Sequence, residues 1–375
     1  MVLITAIFFL SLSLYCLVLL VFLLGLFSKK EIRSQKQPFV SVIIPAKNEK
    51  DNIGNILFDV THQTYPRDKY EIIIIDDEST DITPNICNAF VEKYPNVTLL
   101  STKGFTSPLR YKKKPLDLGI SHANGEIILL TDADCHVAST WIESMVSYFT
   151  PEVGMVIGYS ETSPVNATFE KIQALDFLML MSAARGTAQL GLPYACTGQN
   201  LAYRKGAFKE VGGFSAFANS VGGDDTLLLH QIKQKTRWKI VFALDSASFA
   251  SSPPLSSLRA FITQRIRWAA DTISIKDTDP LFFSIIVTTF LANLMPVILT
   301  ISLLFSSLAF LPLIKGLTFK FALEGLLMLK GTTVFKRKEL ISIFPAWFFF
   351  QIPYITLMGI LSFFGNRFSW GGRLK

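Results

Sequence analysis

Glu126-Ile127-Ile128-Leu129-Leu130-Thr131-Asp132-Ala133-Asp134 is the stretch from which the fold can be read. An unbroken apolar run ends abruptly in two carboxylates spaced to share one cation. A run without polar alternation marks a strand buried on both faces, as in parallel sheets. In open α/β sheets, ligands bind just beyond the carboxyl ends of such strands. Asp132 and Asp134 would there offer hard oxygen ligands to Mg²⁺ or Mn²⁺, which can hold a diphosphate. A D-x-D triplet arises easily by chance, so its weight rests on how the neighbouring strands end.

They end alike. Phe39-Val40-Ser41-Val42-Ile43-Ile44 predicts a strand that runs into Pro45-Ala46-Lys47-Asn48-Glu49, with a helix over about 51–61. Tyr70-Glu71-Ile72-Ile73-Ile74-Ile75 predicts a second, ending in Asp76-Asp77-Glu78-Ser79. A helix follows from about Thr80, whose hydroxyl can cap it, to Lys93. A shorter strand covers 96–100. Lys112-Lys113-Lys114 then leads into a helix stopping near Asn124-Gly125, a suitable C-cap. Beyond the opening strand come a strand over 153–158, an apolar helix within 165–190, a helix through 227–232 and a strand over 240–242. Alternation of this kind argues for a wound, mostly parallel sheet. Three of its strands end in acidic or polar clusters on one edge.

Half of the 375 residues are hydrophobic and only 17% are charged, against roughly a quarter in soluble domains. A mean hydropathy of +0.39 points the same way, to a membrane protein carrying a soluble part. The net charge of +7 does not indicate nucleic acid, because basic residues gather beside the apolar segments, at Lys29, Lys30, Arg33 and Lys36 and at Lys336, Arg337 and Lys338. Juxtamembrane charge is the simpler reading. Cys16, Cys87, Cys135 and Cys196 form no C-x-x-C pair, which fits a reducing compartment. No spacing among His62, His122, His136 and His230 suggests metal ligation.

Residues 1–28 read as an uncleaved transmembrane anchor: the basic cluster follows the apolar segment, so the N-terminus lies outside and residue 29 onward in the cytoplasm. Residues 38–272 form the α/β domain, and 281–365 a C-terminal membrane region of about three spans. Leu281–Ile314 carries no charge over 34 residues, about 51 Å as one helix and too long for a single crossing. Asn293 and Pro296 near its middle predict a tight hairpin of two short spans or a kinked re-entrant pair, and the lysines that follow favour the hairpin. The lysines of 315–340 then fall in the cytoplasm, and 340–365 crosses once more, although its basic tail (Arg367, Arg373, Lys375) pulls against that side.

Taken together, the segments resemble the family 2 glycosyltransferases, membrane-integrated inverting enzymes with a GT-A fold. The matching positions are Ile43-Ile44-Pro45-Ala46-Lys47-Asn48-Glu49, Asp76-Asp77-Glu78-Ser79-Thr80-Asp81, Thr131-Asp132-Ala133-Asp134, Gly198-Gln199-Asn200-Leu201-Ala202-Tyr203-Arg204, Asp224-Asp225 and Gln264-x-x-Arg267-Trp268. The resemblance covers roughly residues 38–270 and implies a Rossmann-like, mostly parallel sheet. It implies that Pro45, Ala46 and Glu49 line a nucleotide pocket, that Asp77 bonds the base, and that Asp132 lies near ribose and sugar. It makes Asp134 the ligand of a divalent cation, Mg²⁺ or Mn²⁺, Asp225 the general base with Asp224 beside it, and Gln264, Arg267 and Trp268 the element closing over the diphosphate and the acceptor. Two positions depart from the pattern: Asp224 where Glu is usual, and Pro115 where a small residue is.

The chemistry suits these residue types. A nucleoside diphosphate leaves readily once a cation neutralises its developing charge. Arg267 can contact phosphate oxygens bidentately. A carboxylate at Asp225 can take the proton of an attacking hydroxyl. Trp268 offers a flat face to a sugar ring or an anchor at a membrane interface. Lys112 to Lys114 either steer the diphosphate or form a solvated basic face.

The expected function is transfer of a sugar from a nucleotide-sugar donor, a UDP-sugar by the resemblance, to a lipid or lipid-linked glycan acceptor. It would take place on the cytoplasmic face of the plasma (inner) membrane, with membrane lipids as partners and no nucleic acid. Within the class the alternative is a processive polysaccharide synthase. Outside it stand an inactive GT-A-like scaffold or transporter subunit, which should have lost Asp134, Asp225 or Arg267, and a nucleotidyltransferase, which would not need Asp225 followed by Q-x-x-R-W.

Overall fold

The computed structural model describes residues 1–28, 33–218, 220, 222–270 and 279–362. In chain order the elements are α1 (Val2–Phe27), β1 (Val40–Ala46), α2 (Ile53–Thr61), β2 (Tyr70–Asp76), α3 (Thr83–Lys93), β3 (Val97–Ser101), α4 (Lys113–His122), β4 (Ile127–Thr131), β5 (His136–Val137), α5 (Trp141–Val146), β6 (Val153–Ile157), β7 (Ser160–Thr162), α6 (Thr168–Gln189), β8 (Asn200–Arg204), α7 (Lys205–Glu210), α8 (Thr226–Lys235), β9 (Lys239–Phe242), β10 (Ala250–Ser252), α9 (Leu258–Ala270), α10 (Pro280–Ser302), α11 (Phe310–Val334) and α12 (Phe344–Ser362). They fall into two compact units. The first holds Lys29–Pro164 and Ala188–Pro253; the second holds Met1–Ser28, Val165–Thr187 and Pro254–Lys375.

The first unit is built on a seven-stranded sheet of order β3-β2-β1-β4-β8-β6-β9 and a three-stranded one of order β5-β10-β7. In the large sheet β3, β2, β1 and β4 pair in parallel, β9 pairs in parallel with β6, and β8 runs antiparallel to β4 and β6. This is the mostly parallel α/β sheet that the alternating strands and helices predict. The run that opened the sequence is β4, and Ile127, Ile128 and Leu129 are wholly buried. Strands covered on both faces lose the hydrophobic alternation, which is why they read as continuous apolar runs. Over α2 the apolar residues recur at Ile53, Ile56, Leu57 and Val60, one helical stripe laid on the sheet. α3 begins at Thr83 rather than near Thr80. Asp81 accepts the Thr83 N–H at 2.9 Å, while the Thr80 N–H and hydroxyl turn to Asn48 Oδ1.

The second unit is helical. Its core gathers Phe8, Leu12, Leu19 and Phe22 from α1 with Leu299 from α10 and Leu313 and Leu327 from α11. By length and apolarity three stretches are able to cross a membrane: Val2–Phe27, Pro280–Ser302 and Lys338–Leu361, among the described residues. The hairpin expected within 281–314 does not form. α10 runs unbroken past Asn293 and through Pro296. One interior proline costs about 3 kcal/mol, but reversing the chain inside an apolar bundle would unpair several backbone groups, which costs more. Thr300 and Asn293 also return side-chain hydrogen bonds to the carbonyls of Pro296 and Thr289. The lysine-bearing stretch expected outside the membrane belongs mostly to α11, a 25-residue helix of the same bundle.

Two buried polar hubs tie these helices together. Glu324 of α11 accepts Tyr15 OH at 2.6 Å, Lys320 Nζ at 2.8 Å and Gln351 Nε2 at 2.5 Å, joining α11 to α1 and α12. Asp176 of α6 accepts Arg265 Nε and Nη2 at 3.0 and 2.7 Å, Trp347 Nε1 at 3.2 Å and Tyr354 OH, joining α6 to α9 and α12. α6 and α9 lie within the range 38–272 that the sequence assigns to one catalytic domain, yet they pack with the apolar helices. Residues 271, 272 and 363–365 at the expected boundaries lie outside the described residues, as do Lys29, Lys30, Arg367, Arg373 and Lys375 of the basic clusters.

α1 and α6 meet backbone to backbone. A Cβ on Gly25 would lie 1.9 Å from Gly186 O, and Arg185 donates to the carbonyls of Leu26 and Ser28 at the end of α1. Close approach through small residues is how apolar helices gain packing energy. Gly25→Val should therefore cost about 1–3 kcal/mol by overpacking, seen as a lowered thermal unfolding midpoint in detergent. An unchanged midpoint would mean that the contact contributes nothing.

Candidate active site

Parallel pairing carries the ends of β1, β2 and β4 to one edge of the large sheet. Ala46 stands opposite Asp76, and Ile43 opposite Leu130. β8 runs the other way, with Asn200 opposite Thr131, so its amino end delivers Gly198 and Gln199 to the same edge. The sequence marked the Gly198–Arg204 motif but not that it forms a strand. Asn200 explains part of the motif. Fully buried, it donates Nδ2 to the carbonyls of Tyr159 and Ser248 and accepts Trp141 Nε1 at 3.1 Å. It is a packing hub and stands outside the chemistry.

Pro45 and Ala46 end β1. Ala46 O accepts the Asp77 N–H at 2.8 Å, and buried Asp77 accepts Thr102 Oγ1 at 2.8 Å through Oδ1. Lys47 Nζ lies 3.0 Å from Asp77 O and 3.6 Å from Oδ2. Glu49 donates its N–H to Thr83 Oγ1 and accepts Asn52 Nδ2 at 2.8 Å. Three non-glycine residues here adopt left-handed backbone: Asn48 (φ 56°), Glu78 (φ 59°) and Tyr111 (φ 56°). Asn tolerates this conformation; for Glu and Tyr it costs of order 1–3 kcal/mol each, a cost found mainly where a loop must hold a site's shape.

The edge is crowded with carboxylates. Burial pushes Asp134 up to about 6, helped by Asp132 and Glu49. Burial also pushes Asp225 up to about 6, helped by Asp224 and opposed by the Thr226 and Gly198 amides and Lys112. Glu49 is raised by burial and by Asp132, against the lowering bond from Asn52. Asp225 caps α8, accepting the Thr226 N–H at Oδ1 and the Gly198 N–H at Oδ2, 2.9 Å. Its carboxylate is thus held by two backbone amides. A Cβ on Gly198 would come within 3.1 Å of both Asp224 Oδ2 and Lys112 Nζ, so only glycine leaves the tie undisturbed.

Lys112 was not separable from its neighbours in the sequence, yet the three lysines do different work. Lys112 Nζ lies 2.5 Å from Asp132 Oδ1 and 3.6 Å from Asp224 Oδ2, bridging the two acidic motifs. Burial works against its charge, but Asp132 and Asp224 more than offset this and hold it firmly protonated. Buried Lys113 donates to Ser220 O, Ser220 Oγ and Gly222 O, fastening the loop before Asp224. Lys114 reaches Thr102 O at 3.3 Å and lies 3.7 Å from Glu78.

Gln264, Arg267 and Trp268 all lie on α9, in the helical unit. Gln264 Oε1 accepts Arg265 Nη1 at 2.6 Å. Trp268 is partly exposed, with the Arg265 guanidinium 4.2 Å from its ring and Phe177 beside it. Arg265, passed over in the sequence, is the residue that fixes the helix, through Asp176.

Hard carboxylate oxygens whose pKa values are raised by burial and then by one another suit a Mg²⁺ or Mn²⁺ ion. Among the described residues no three His, Cys, Asp or Glu side chains form a ready-made metal cage. Such ions are commonly held by one or two carboxylates, with phosphate and water completing the shell, and Asp134 with Asp132 meets that requirement.

A mostly parallel sheet whose strand ends meet at an acidic edge is the architecture of the GT-A fold. The chain is similar in fold to a mannosyltransferase, PcManGT of Pyrobaculum calidifontis, solved with GDP-Man and Mn²⁺. The TM-score is 0.63 at 21% identity, covering 92% of this chain and 98% of that one. The chain belongs to glycosyl transferase family 21, whose model matches residues 1–374. The motif resemblance to family 2 thus holds at the level of the glycosyltransferase class, and family 21 is the family shown. Among curated relatives, glycosyltransferase AglE of Haloferax volcanii is 38% identical over 110 residues, 29% of this chain and 35% of that protein. Probable glycosyltransferase YdaM of Bacillus subtilis is 26% identical over 241 residues, 62% and 54% respectively. A beta-monoglucosyldiacylglycerol synthase of Nostoc is 36% identical over 129 residues, 34% and 27%. The matched stretches span from about a quarter to about half of these relatives' own lengths.

A carboxylate with a raised pKa binds its proton more tightly folded than unfolded, so its contribution favours folding at low pH. That contribution is lost as pH rises through about 6. A divalent cation should restore it. We expect Mn²⁺ to raise the thermal unfolding midpoint at pH 7.5, by clearly less at pH 5, and not in Asp134→Asn. Equal shifts at both pH values would contradict this assignment.

Proposed function

We propose that this glycosyltransferase moves a sugar from a nucleotide-sugar donor to a lipid or lipid-linked glycan acceptor, working at a membrane with inversion at the anomeric carbon. The observation that carries this reading is the carboxylate-crowded edge, where Asp132, Asp134, Asp224 and Asp225 gather around Lys112 and Glu49 lies near Asp132 and Asp134. An anionic diphosphate can approach such an edge only together with a cation. Three helices able to cross a membrane support the membrane setting. Relatives named for glucosyldiacylglycerol synthesis and for poly(ribitol-phosphate) glucosylation support a lipid or glycan acceptor. In this reading residues 1–28 anchor the chain, 38–272 carry the chemistry and 281–365 complete the membrane region, with the α/β unit in the cytoplasm against the plasma (inner) membrane.

Pro45, Ala46, Glu49 and Asp77 take the nucleotide, Asp77 through the lone pairs left free beside Thr102 and Lys47. Asp132 orients the ribose and sugar and keeps Lys112 in place. Asp134 holds Mg²⁺ or Mn²⁺, which when bound neutralises charge on the departing diphosphate. Arg267 adds donors to the phosphate oxygens, and Gln264 and Trp268 receive the acceptor end. Asp225, oriented by the Gly198 and Thr226 amides, accepts the acceptor hydroxyl's proton as that oxygen bonds to the anomeric carbon and the bond to phosphate breaks. Its raised pKa makes it a stronger base than an ordinary aspartate while leaving it mostly ionised at neutral pH. Asp224 contributes by keeping that pKa high.

Purified enzyme should release nucleotide from one member of a panel of UDP- and GDP-sugars when a lipid acceptor is present. Asp225→Asn should lower that turnover by a factor of roughly 10² or more and leave donor binding nearly intact. Equal loss of binding and turnover would show that Asp225 is not the base.

A further inference from the structure

We propose that α11 is itself a membrane-crossing helix whose outer face is covered by lipid, and that the buried Lys320–Glu324 pair is what allows the crossing. The inference rests on the membrane reading above and adds a crossing that composition does not reveal. Within its 25 residues α11 carries Lys315, Lys320, Glu324 and Lys330, enough charge to set it apart from the three apolar spans.

Those charges are not distributed as on a solvated helix. Lys320 and Glu324 are fully buried, one helical turn apart and 2.8 Å from each other. Glu324 spends its remaining capacity on Tyr15 and Gln351, and Lys320 Nζ lies 4.9 Å from the centre of the Phe348 ring. The pair therefore faces α1 and α12. The outward positions are Phe310, Leu311, Ile314, Phe319, Leu326 and Leu329, each about half or more exposed. Lys315 and Lys330 stand about 22 Å apart along the helix, close enough to the two ends for their stems to reach the interfaces. At about 38 Å the helix exceeds the ~30 Å bilayer core. Charges inside a bilayer are tolerated when they face the bundle and pair.

The flanking sequence supplies a second, independent argument. Because α10 is one continuous helix, a crossing by α10 leaves residues 303–309, which carry no charge, on the far side. If α11 did not cross, Lys336, Arg337 and Lys338 would lie on that far side too, against the positive-inside rule. A crossing by α11 returns them to the side from which α10 entered.

The test uses the full-length chain in sealed vesicles of known orientation, with a membrane-impermeant maleimide and the parent chain as blank for its four native cysteines. Ser306→Cys and Lys338→Cys bracket α11; Leu308→Cys and Lys336→Cys form a second pair should the first not accumulate. Labelling of the two ends from opposite faces is the expected result, and labelling of both from one face overturns the inference. Val2→Cys and Gln37→Cys, bracketing α1, test the membrane reading separately: labelling of that pair from one face would overturn the reading itself. Lys320→Leu should reduce the yield of correctly inserted chain, and Lys320→Leu with Glu324→Leu should recover it, because breaking a buried pair is worse than removing it. Equal yields from the single and double variants would contradict the role given to the pair.

Discussion

Burial of neighbouring carboxylates is the constraint on which the site depends. Glu49 follows β1, Asp132 and Asp134 follow β4, and Asp224 and Asp225 lead into α8. Burial raises Glu49, Asp134 and Asp225, and beyond it Glu49 feels Asp132, Asp134 feels Asp132 and Glu49, and Asp225 feels Asp224. Lys112 offsets part of that charge by bridging Asp132 and Asp224, and Lys113 holds the loop that brings Asp224 there. What remains is an edge that holds unfavourable charge at neutral pH, which in the proposed reading a divalent cation would relieve. Stability is given up for a binding site, a common balance where function needs strained or desolvated groups. The left-handed Glu78 and Tyr111 belong to the same balance.

Much of this was legible because the sheet is buried on both sides. Strands without polar alternation announce themselves as apolar runs, and their ends can be read where the runs stop, as at Ala46, Asp76 and Thr131. β8 was harder. It is short, and its first residue, Asn200, is a buried amide whose partners Tyr159, Ser248 and Trp141 come from distant segments. No local pattern marks such a residue as structural. Lys112 was hidden for a related reason: three consecutive lysines look equivalent until the helix start turns one toward Asp132, one toward Ser220 and one toward Thr102. Arg265 was overlooked beside Gln264 and Arg267 because its partner Asp176 lies 89 positions away.

The helical unit was the least legible part, and hydropathy explains why. A window average counts Lys320 and Glu324 as two charges, whereas in the bundle they form one hydrogen-bonded pair turned inward. Pro296 and Asn293 suggested a reversal, but in an apolar bundle an unpaired backbone costs more than a proline. Topology rules that sum over sequence miss both effects, since both depend on which helix face is turned inward. The two polar hubs, around Glu324 and Asp176, give five helices of this unit defined partners where apolar contact alone would let them slide.

Metal dependence is the property of the site on which the proposed chemistry turns. The direct measurement is equilibrium binding of a nucleoside diphosphate to the detergent-purified enzyme at pH 7.5, with Mn²⁺ present and with EDTA in its place. If the buried carboxylates govern the site, the diphosphate binds many-fold more tightly with Mn²⁺, and Asp134→Asn loses that gain. Equal affinity with and without the metal would mean that the acidic edge does not carry the phosphate.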